Sequence, residues 1–473
     1  MHQSTIARRW LRAAALASLS TFASVAGADT IVAPTGGSQP FDNRQPSLGL
    51  TYAVRTRATA DRLGEVALFP TDFVPNGYTR ANGALLPIAG NEVLFSKLGT
   101  AHGGNGVNTF ALPNLRGRAV IGAGTGPGDR EVGSVVGENF PTLTEAQMPA
   151  HGHIVAATPG HPSQFTGVTG GSQAFSNVQG SVALNFGIAT TGNFPIQGGS
   201  FIASPYIGQV DIFAGTMTRP GFVPANGLLL PIGTSDALFQ VTGTTFGGDG
   251  RSNFAVPDLT GRVPQGDDGR APFGARGVGA NHGAEQVQLT QAQLPTHAHP
   301  QIPPSELGAV SPAGGGQPFD NEQPSLSLRY LVAIDGTYPA TETTQPGTLP
   351  GTAPFESPIL GQLQLFATEF VPSGYREANG QVLQINQHEA LFSLIGTTYG
   401  GDGRTTFALP DLRSYIAIGT DPSGILIGGT YGSRTLALST IQMPVHVHSV
   451  AVPEPASLAL AATCLLLLRR RRD

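Results

Sequence analysis

The sequence predicts an α+β, β-rich fold built of three similar tandem units, and three observations predict it. The first is composition: 64 Gly and 38 Pro among 473 residues, with only 12% charged residues, favour turns and short strands over long helices. The second is repetition. LGEVALFPTDFVPNGYTRANGALLPIAG (63–90), IGQVDIFAGTMTRPGFVPANGLLLPIG (207–233) and LGQLQLFATEFVPSGYREANGQVLQIN (360–386) are variants of one text. LFSKLGTAHGGNGVNTFALPNLRGR (94–118), LFQVTGTTFGGDGRSNFAVPDLTGR (238–262) and LFSLIGTTYGGDGRTTFALPDLRSY (391–415) follow them. The third is periodicity: Gln209-Val210-Asp211-Ile212-Phe213 alternates apolar and polar residues, as a half-buried strand does. Asn82, Asn226 and Asn379 mark a spacing of about 150 residues, which indicates tandem domains and not a short-repeat solenoid.

Each unit reads in the same order. An alternating strand leads to an Asn-Gly hairpin turn (82–83, 226–227, 379–380), since both residue types tolerate positive φ. A short helix follows, with Asn91, Ser235 and Asn386 as expected N-caps. Leu94 and Leu98 share one helical face, and Gly99 suits the residue just past the end. Then come a Gly-Gly loop and a Phe-x-x-Pro-x-Leu strand starting at Phe110, Phe254 and Phe407. The Gly-Asp-Gly stretches at 248–250 and 401–403 offer one carboxylate each, too few for calcium, and no P-loop accompanies them, so they read as turns. Asp258 and Asp411 are expected to bond the neighbouring backbone. LTEAQMPAHGH (143–153), LTQAQLPTHAH (289–299) and LSTIQMPVHVH (438–448) close the units. A fourth block recurs as GGSQPFDNRQPSLGLTYAV (36–54), GGSQAFSNVQGSVALNFGI (170–188) and GGGQPFDNEQPSLSLRYLV (314–332).

These motifs closely resemble the phage tail collar domain family, including bacterial proteins called microcystin-dependent. The family pattern runs from a Gly-aromatic hairpin to a GGDG loop and then Phe-x-Leu-Pro-Asp-Leu-Arg-Gly-Arg. The resemblance implies collar units at 62–118, 206–262 and 359–415, with extensions to 153, 299 and 448. It leaves 29–56 as a trailing-strand segment, 170–196 as a linking strand segment and 300–358 as a linker with a strand segment. Departures are visible: Tyr78, Phe222 and Tyr375 stand where the family has Trp, and Ala-Asn replaces Cys-Asp in every copy. Asn105 replaces the loop Asp of the first copy, and the third ends Arg413-Ser414-Tyr415 without Gly-Arg.

The sharpest chemical candidates are three His-x-His pairs: His151 and His153, His297 and His299, His446 and His448. Thr144-x-x-Gln147, Thr290-x-x-Gln293 and Ser439-x-x-Gln442 form capping boxes that start one helical turn, and Pro149, Pro295 and Pro444 end it. The pair then leaves in extended form, so both imidazoles project to one side and can reach one metal. In tail fibres of the resembling class such pairs from three chains meet on a threefold axis and hold one iron or zinc ion. Here one chain carries all three pairs. Three readings stay open: convergence within the chain as a pseudo-trimer, convergence between chains of a trimer, or no metal.

Catalytic constellations do not appear. There is no GxSxG elbow and no HExxH, and the acid beside the first His pair, Glu145, is Gln291 and Thr440 in the others. The net charge of −5, with no basic patch, argues against nucleic acid. The expected function is that of a structural or adhesion protein, not an enzyme, with a receptor- or carbohydrate-binding module as the alternative.

The ends read as addresses. Arg8, Arg9, Arg12 and the apolar run 13–25 form a signal peptide (1–28) cleaved after Ala28. At 452–473, Pro453-Glu454-Pro455, an apolar run and Arg469, Arg470, Arg471 and Arg472 resemble a PEP-CTERM sorting signal. That resemblance implies an exosortase-type sorting peptidase, a transient membrane tail, and residence at the cell surface or in an extracellular polysaccharide matrix. The single cysteine, Cys464, excludes an internal disulfide. Residues 29–56 are expected to complete the third unit, bringing the mature N-terminus near residue 448.

Overall fold

A computed structural model describes residues 29–124, 130–157, 163–195, 205–215, 219–267, 277–299, 309–339 and 358–451. The signal peptide expected at 1–28, with cleavage after Ala28, and the sorting signal expected at 452–473 lie outside the described residues. Strand β1 (Asp29–Ile31) is followed by β2 (Ser47–Arg55), β3 (Glu65–Phe69), helix α1 (Glu92–Leu98) and β4 (Ala119–Gly122). The second unit repeats them as β5 (Ser181–Ala189), β6 (Gln209–Phe213), α2 (Asp236–Thr242) and β7 (Val263–Gly266). The third supplies β8 (Ser325–Ala333), β9 (Leu363–Phe366), α3 (Glu389–Ile395) and β10 (Ile416–Gly419), and β11 (Ser449–Ala451) comes last.

The units are alike but do not stand apart. A 15-stranded sheet runs through all of them. The segments expected to link them hold its longest strands, β2, β5 and β8. Each is bound at both ends. Its first half lies parallel to the last strand of one unit, β10 on β2, β4 on β5 and β7 on β8. Its second half pairs antiparallel with the first strand of the next, β3, β6 and β9. Nearly every residue of these strands is buried, so both faces are covered, with small residues such as Ser47, Gly49, Ser181, Ser325 and Ser327 set among the apolar ones. β3, β6 and β9 then meet one another around a pseudo-threefold axis, with Ile212 opposite Val66, Val210 opposite Leu365 and Leu363 opposite Leu68. One large core joins Leu50, Leu184 and Leu328 with Phe110, Phe254 and Phe407.

The chain closes on itself. β1 pairs antiparallel with β11, Thr30 opposite Val450, and the Val32 amide donates to the His448 carbonyl at 3.2 Å. Because β2 also lies on β10, the first described residues belong structurally to the last unit.

Local expectations meet specific outcomes. Leu94 and Leu98 are buried, and Gly99 ends α1 with φ 55°. The N-cap of α3 is His388, at the position of Asn91 and Ser235, and not Asn386, which falls inside the 3-10 turn 385–387 that the second unit also forms at 232–234. Asp249 accepts three successive amides, from Arg251, Ser252 and Asn253, as a turn requires. Asn105 does the same in the first unit, so its substitution for Asp keeps these three backbone bonds and gives up the side-chain bonds that the second Asp oxygen accepts from Ser252 and Thr405 in the other units. The side chains of Asp258 and Asp411 accept the Thr260 and Arg413 amides.

The missing Gly-Arg of the third unit also has an explanation. Gly122, Gly266 and Gly419 each meet the next unit through backbone alone: Gly122 donates to Arg262 carbonyl, Gly266 to Tyr415 and Gly419 to Arg118. Side chains are not needed at that joint, and Ser414 reaches the required left-handed backbone at φ 61°, beside 65° and 67° for Gly117 and Gly261.

Candidate metal centre

Side chains from the three units stack along the axis in layers. Gln45, Gln179 and Gln323 form a ring in which each side-chain oxygen accepts the backbone amide of another member, at 2.9–3.0 Å. Phe41, Phe175 and Phe319 meet edge to face, with centroids 5.7–6.3 Å apart. These residues sit at the same two positions of the fourth repeated block. The block was legible as a repeat, but only threefold assembly turns its Phe-x-x-x-Gln spacing into axial layers. Met148, Leu294 and Met443 form a further cluster.

The His-x-His pairs follow directly. Each capping box forms as expected and holds a single 3-10 turn. Past the proline the chain is extended, and a neighbouring segment pairs with it. His151 bridges Thr169, His297 bridges Ala313 and His446 bridges Thr35. The last bridge comes from the N-terminal segment, so closure of the chain builds part of the site. Ser172 and Ser38 hold positive φ and accept the Ala150 and Val445 amides, fixing two of these segments.

All six imidazoles are buried, none more than 5% exposed. Each is oriented by a backbone carbonyl. The Nδ1 atoms of His151, His297 and His446 lie 2.9 Å from the carbonyls of Pro149, Pro295 and Pro444. Those of His153, His299 and His448 lie 2.7–2.9 Å from Ser311, Ala33 and Gly167. A carbonyl only accepts, so every Nδ1 carries the proton and every Nε2 of a neutral ring presents a lone pair.

The lone pairs converge. His151 Nε2 is 3.1 Å from His297 Nε2, and His299 Nε2 is 3.2 Å from His446 Nε2. Two unprotonated nitrogens at that distance repel unless a cation lies between them. The Nε2 atoms of His153 and His448 are buried without a hydrogen-bond partner. Ring contacts describe the arrangement further. His151 meets His153, His297, His446 and His448 edge-on at 4.9–5.5 Å between centroids. The same holds around the cluster for every other pair, at 4.7–5.6 Å, with three exceptions. His151 and His299, His153 and His446, and His297 and His448 do not meet in this way. Six points of which three pairs are opposed and all others adjacent are the vertices of an octahedron. Burial pushes His297, His299, His446 and His448 down to about 4, the carbonyl bonds resist, and neighbouring imidazoles add to the lowering. His151 is lowered for the same reasons. These five rings are therefore neutral near pH 7 and ready to ligate.

The residues fit a metal. Four-ligand sets from different units lie with their donor atoms within 4.8 Å of one another: His151, His153, His446 and His448, and His153, His297, His299 and His446. For nitrogen ligands about 2.1 Å from a metal, adjacent octahedral donors are about 3.0 Å apart, close to the two shortest separations. Six imidazoles suit iron or zinc, and the six-vertex arrangement favours iron because zinc prefers four ligands.

No helix among the described residues is long and apolar enough to cross a membrane. The family model described as Phage Tail Collar Domain matches the chain at residues 64–120, 208–264 and 361–417. No curated protein and no solved structure matches it.

Proposed function

Since the chain carries three phage tail collar domains, and such domains make tail-fibre-like structural proteins, we propose that it is an exported, surface-associated structural or adhesion protein, pinned along its axis by one metal ion. The observation that carries this reading is the convergence of six carbonyl-oriented imidazoles from one polypeptide. His151, His153, His297, His299, His446 and His448 hold the ion, iron or zinc. When bound it supplies a cross-link between three distant parts of the chain. The backbone carbonyls orient the six imidazoles and their burial excludes water, and six protein ligands would leave no open position for substrate. Metal serves stability here, not turnover. Export rests on the signal-peptide pattern ending at Ala28 and on the Pro453–Arg472 sorting pattern, with an exosortase-type peptidase and a polysaccharide matrix as partners.

Metal analysis of the purified chain tests the reading. One iron or zinc per monomeric chain is expected, lost when the three His-x-His pairs become Ala-x-Ala. Metal-free native protein, or metal found only in a trimer, removes it. Mass spectrometry of the mature ends, with cell fractionation, tests export separately.

A further inference from the structure

The third unit carries a groove that has no like-lined counterpart in the sequence of the others. It has a volume of about 560 Å³, within the range of small-ligand sites. Val371 and Pro372 line it together with Asp335, Arg376, Glu377 and Gln381. The corresponding residues are Arg57, Thr79, Arg80 and Ala84 in the first unit and Thr191, Val223, Pro224 and Leu228 in the second. The framework beneath is shared by all three units, so the fold does not demand these polar side chains. His388 beside the groove, which Asn91 and Ser235 replace elsewhere, is specific to this unit as well.

The chemistry of the lining is mixed and nearly balanced. Asp335 and Arg376 are exposed and both act on His388. Burial lowers His388 first, Arg376 lowers it further and Asp335 raises it. Among the described residues the Arg376 guanidinium bonds the adjacent Tyr375 carbonyl, at 3.2 Å. Glu377 is answered by Arg329 at 3.3 Å and accepts the Asn379 amide at 3.0 Å. Gln381 donates to the Glu377 carbonyl, which fixes its amide plane and leaves its own oxygen to accept. Opposed single charges make a poor trap for a simple anion or cation. Closely spaced donors and acceptors beside an apolar floor match a molecule whose neighbouring hydroxyls both donate and accept, and whose C–H faces are apolar.

We propose that this groove binds a neutral saccharide, with Arg376 donating to hydroxyl oxygens, Asp335 and the Gln381 side-chain oxygen accepting from hydroxyls, and Val371 supporting a sugar face. The proposal deepens the surface-adhesion reading and rests on it only for its setting. Fractionation can fail while the purified chain still binds sugar, and the reverse. The test is an array of neutral and uronate-bearing oligosaccharides probed with the purified full chain, followed by calorimetry with the tightest binder. Neutral saccharide is expected to bind, at least tenfold more weakly to Asp335→Ala/Arg376→Ala and to Gln381→Ala. Arg57→Ala/Thr79→Ala, the same two positions in the first unit, leaves binding unaltered. Thermal midpoints and metal content confirm folding, and Gln381→Ala, the smallest change, guards against misfolding of the double variant. The proposal is overturned if no saccharide binds, if only uronate-bearing ones bind, if folded groove variants bind as the native chain does, or if the first-unit control loses binding equally.

Discussion

Two residues show how a repeat tolerates difference. Ser414 occupies a left-handed position that glycine holds in the other units, and an L residue there costs roughly 1 kcal/mol. Ser414→Gly is expected to raise stability by up to about 1 kcal/mol in a denaturant titration. Glu65 is fully buried at the opposite end of the axis from the histidines, where the second and third units have Gln209 and Gln362. Burial pushes its carboxyl up, but Arg62, Arg55 and Arg219 outweigh that and hold it down at about 2. Arg62 Nε lies 3.1 Å and Arg55 Nε 3.4 Å from the same oxygen. A folded-state value below the unfolded one contributes stability above the ordinary glutamate range, and this is lost as pH falls toward about 2. Burial and Glu65 itself push Asp211 up to about 6; its contribution has the opposite sign and is lost as pH rises through that value. Glu65→Gln is expected to cost about 3 kcal/mol at pH 7, since Arg62, Arg55 and Arg219 lose a buried charged partner, and to flatten the acid limb of a stability–pH curve. The repeat alignment shows this position varying, but only the fold shows that Arg219 of the second unit reaches Glu65 of the first.

Elements were the most legible scale. The capping boxes, the Leu94–Leu98 helix face and the loop carboxylates all follow from side-chain chemistry acting within a few residues, which the sequence displays directly. The cap of α3 shows the limit, since Asn386 carries the capping side chain but lies in the 3-10 turn before the helix, while His388, the cap, is not a usual capping residue. Contacts between units were not legible. Nothing local marks Gly122, Gly266 and Gly419 as joints, yet a Cβ there meets the carbonyl oxygens of Leu259, Leu412 and Leu115 at 1.8–1.9 Å. Gly122→Ala is therefore expected to cost about 3 kcal/mol in thermal unfolding. Gly233→Ala, where nothing lies within 4 Å, is expected to be silent.

At the scale of the molecule, the His-x-His motif named the ligand type and the pairwise reach, and left the way the pairs meet undecided. That depends on long strands threading between units, and their pairing partners lie far away in sequence. Crosslinking checks the closure. In a Cys464→Ala background, Thr30→Cys and Val450→Cys occupy directly opposed backbone positions, within disulfide reach for an antiparallel pair. Oxidation is expected to tie a loop of about 420 residues and speed migration on a non-reducing gel. Unchanged migration would show that the two ends lie apart in solution.

The pairing of β1 with β11 also sets a timetable. Synthesis runs from the amino end, so β1 exists long before its partner, and until β11 arrives its edge stands open to any stray strand. No early fragment of this polypeptide can finish its own first layer. The molecule resembles a bracelet whose clasp is the last link made, and a chain cut short before Ser449 is left with an unfastened ring.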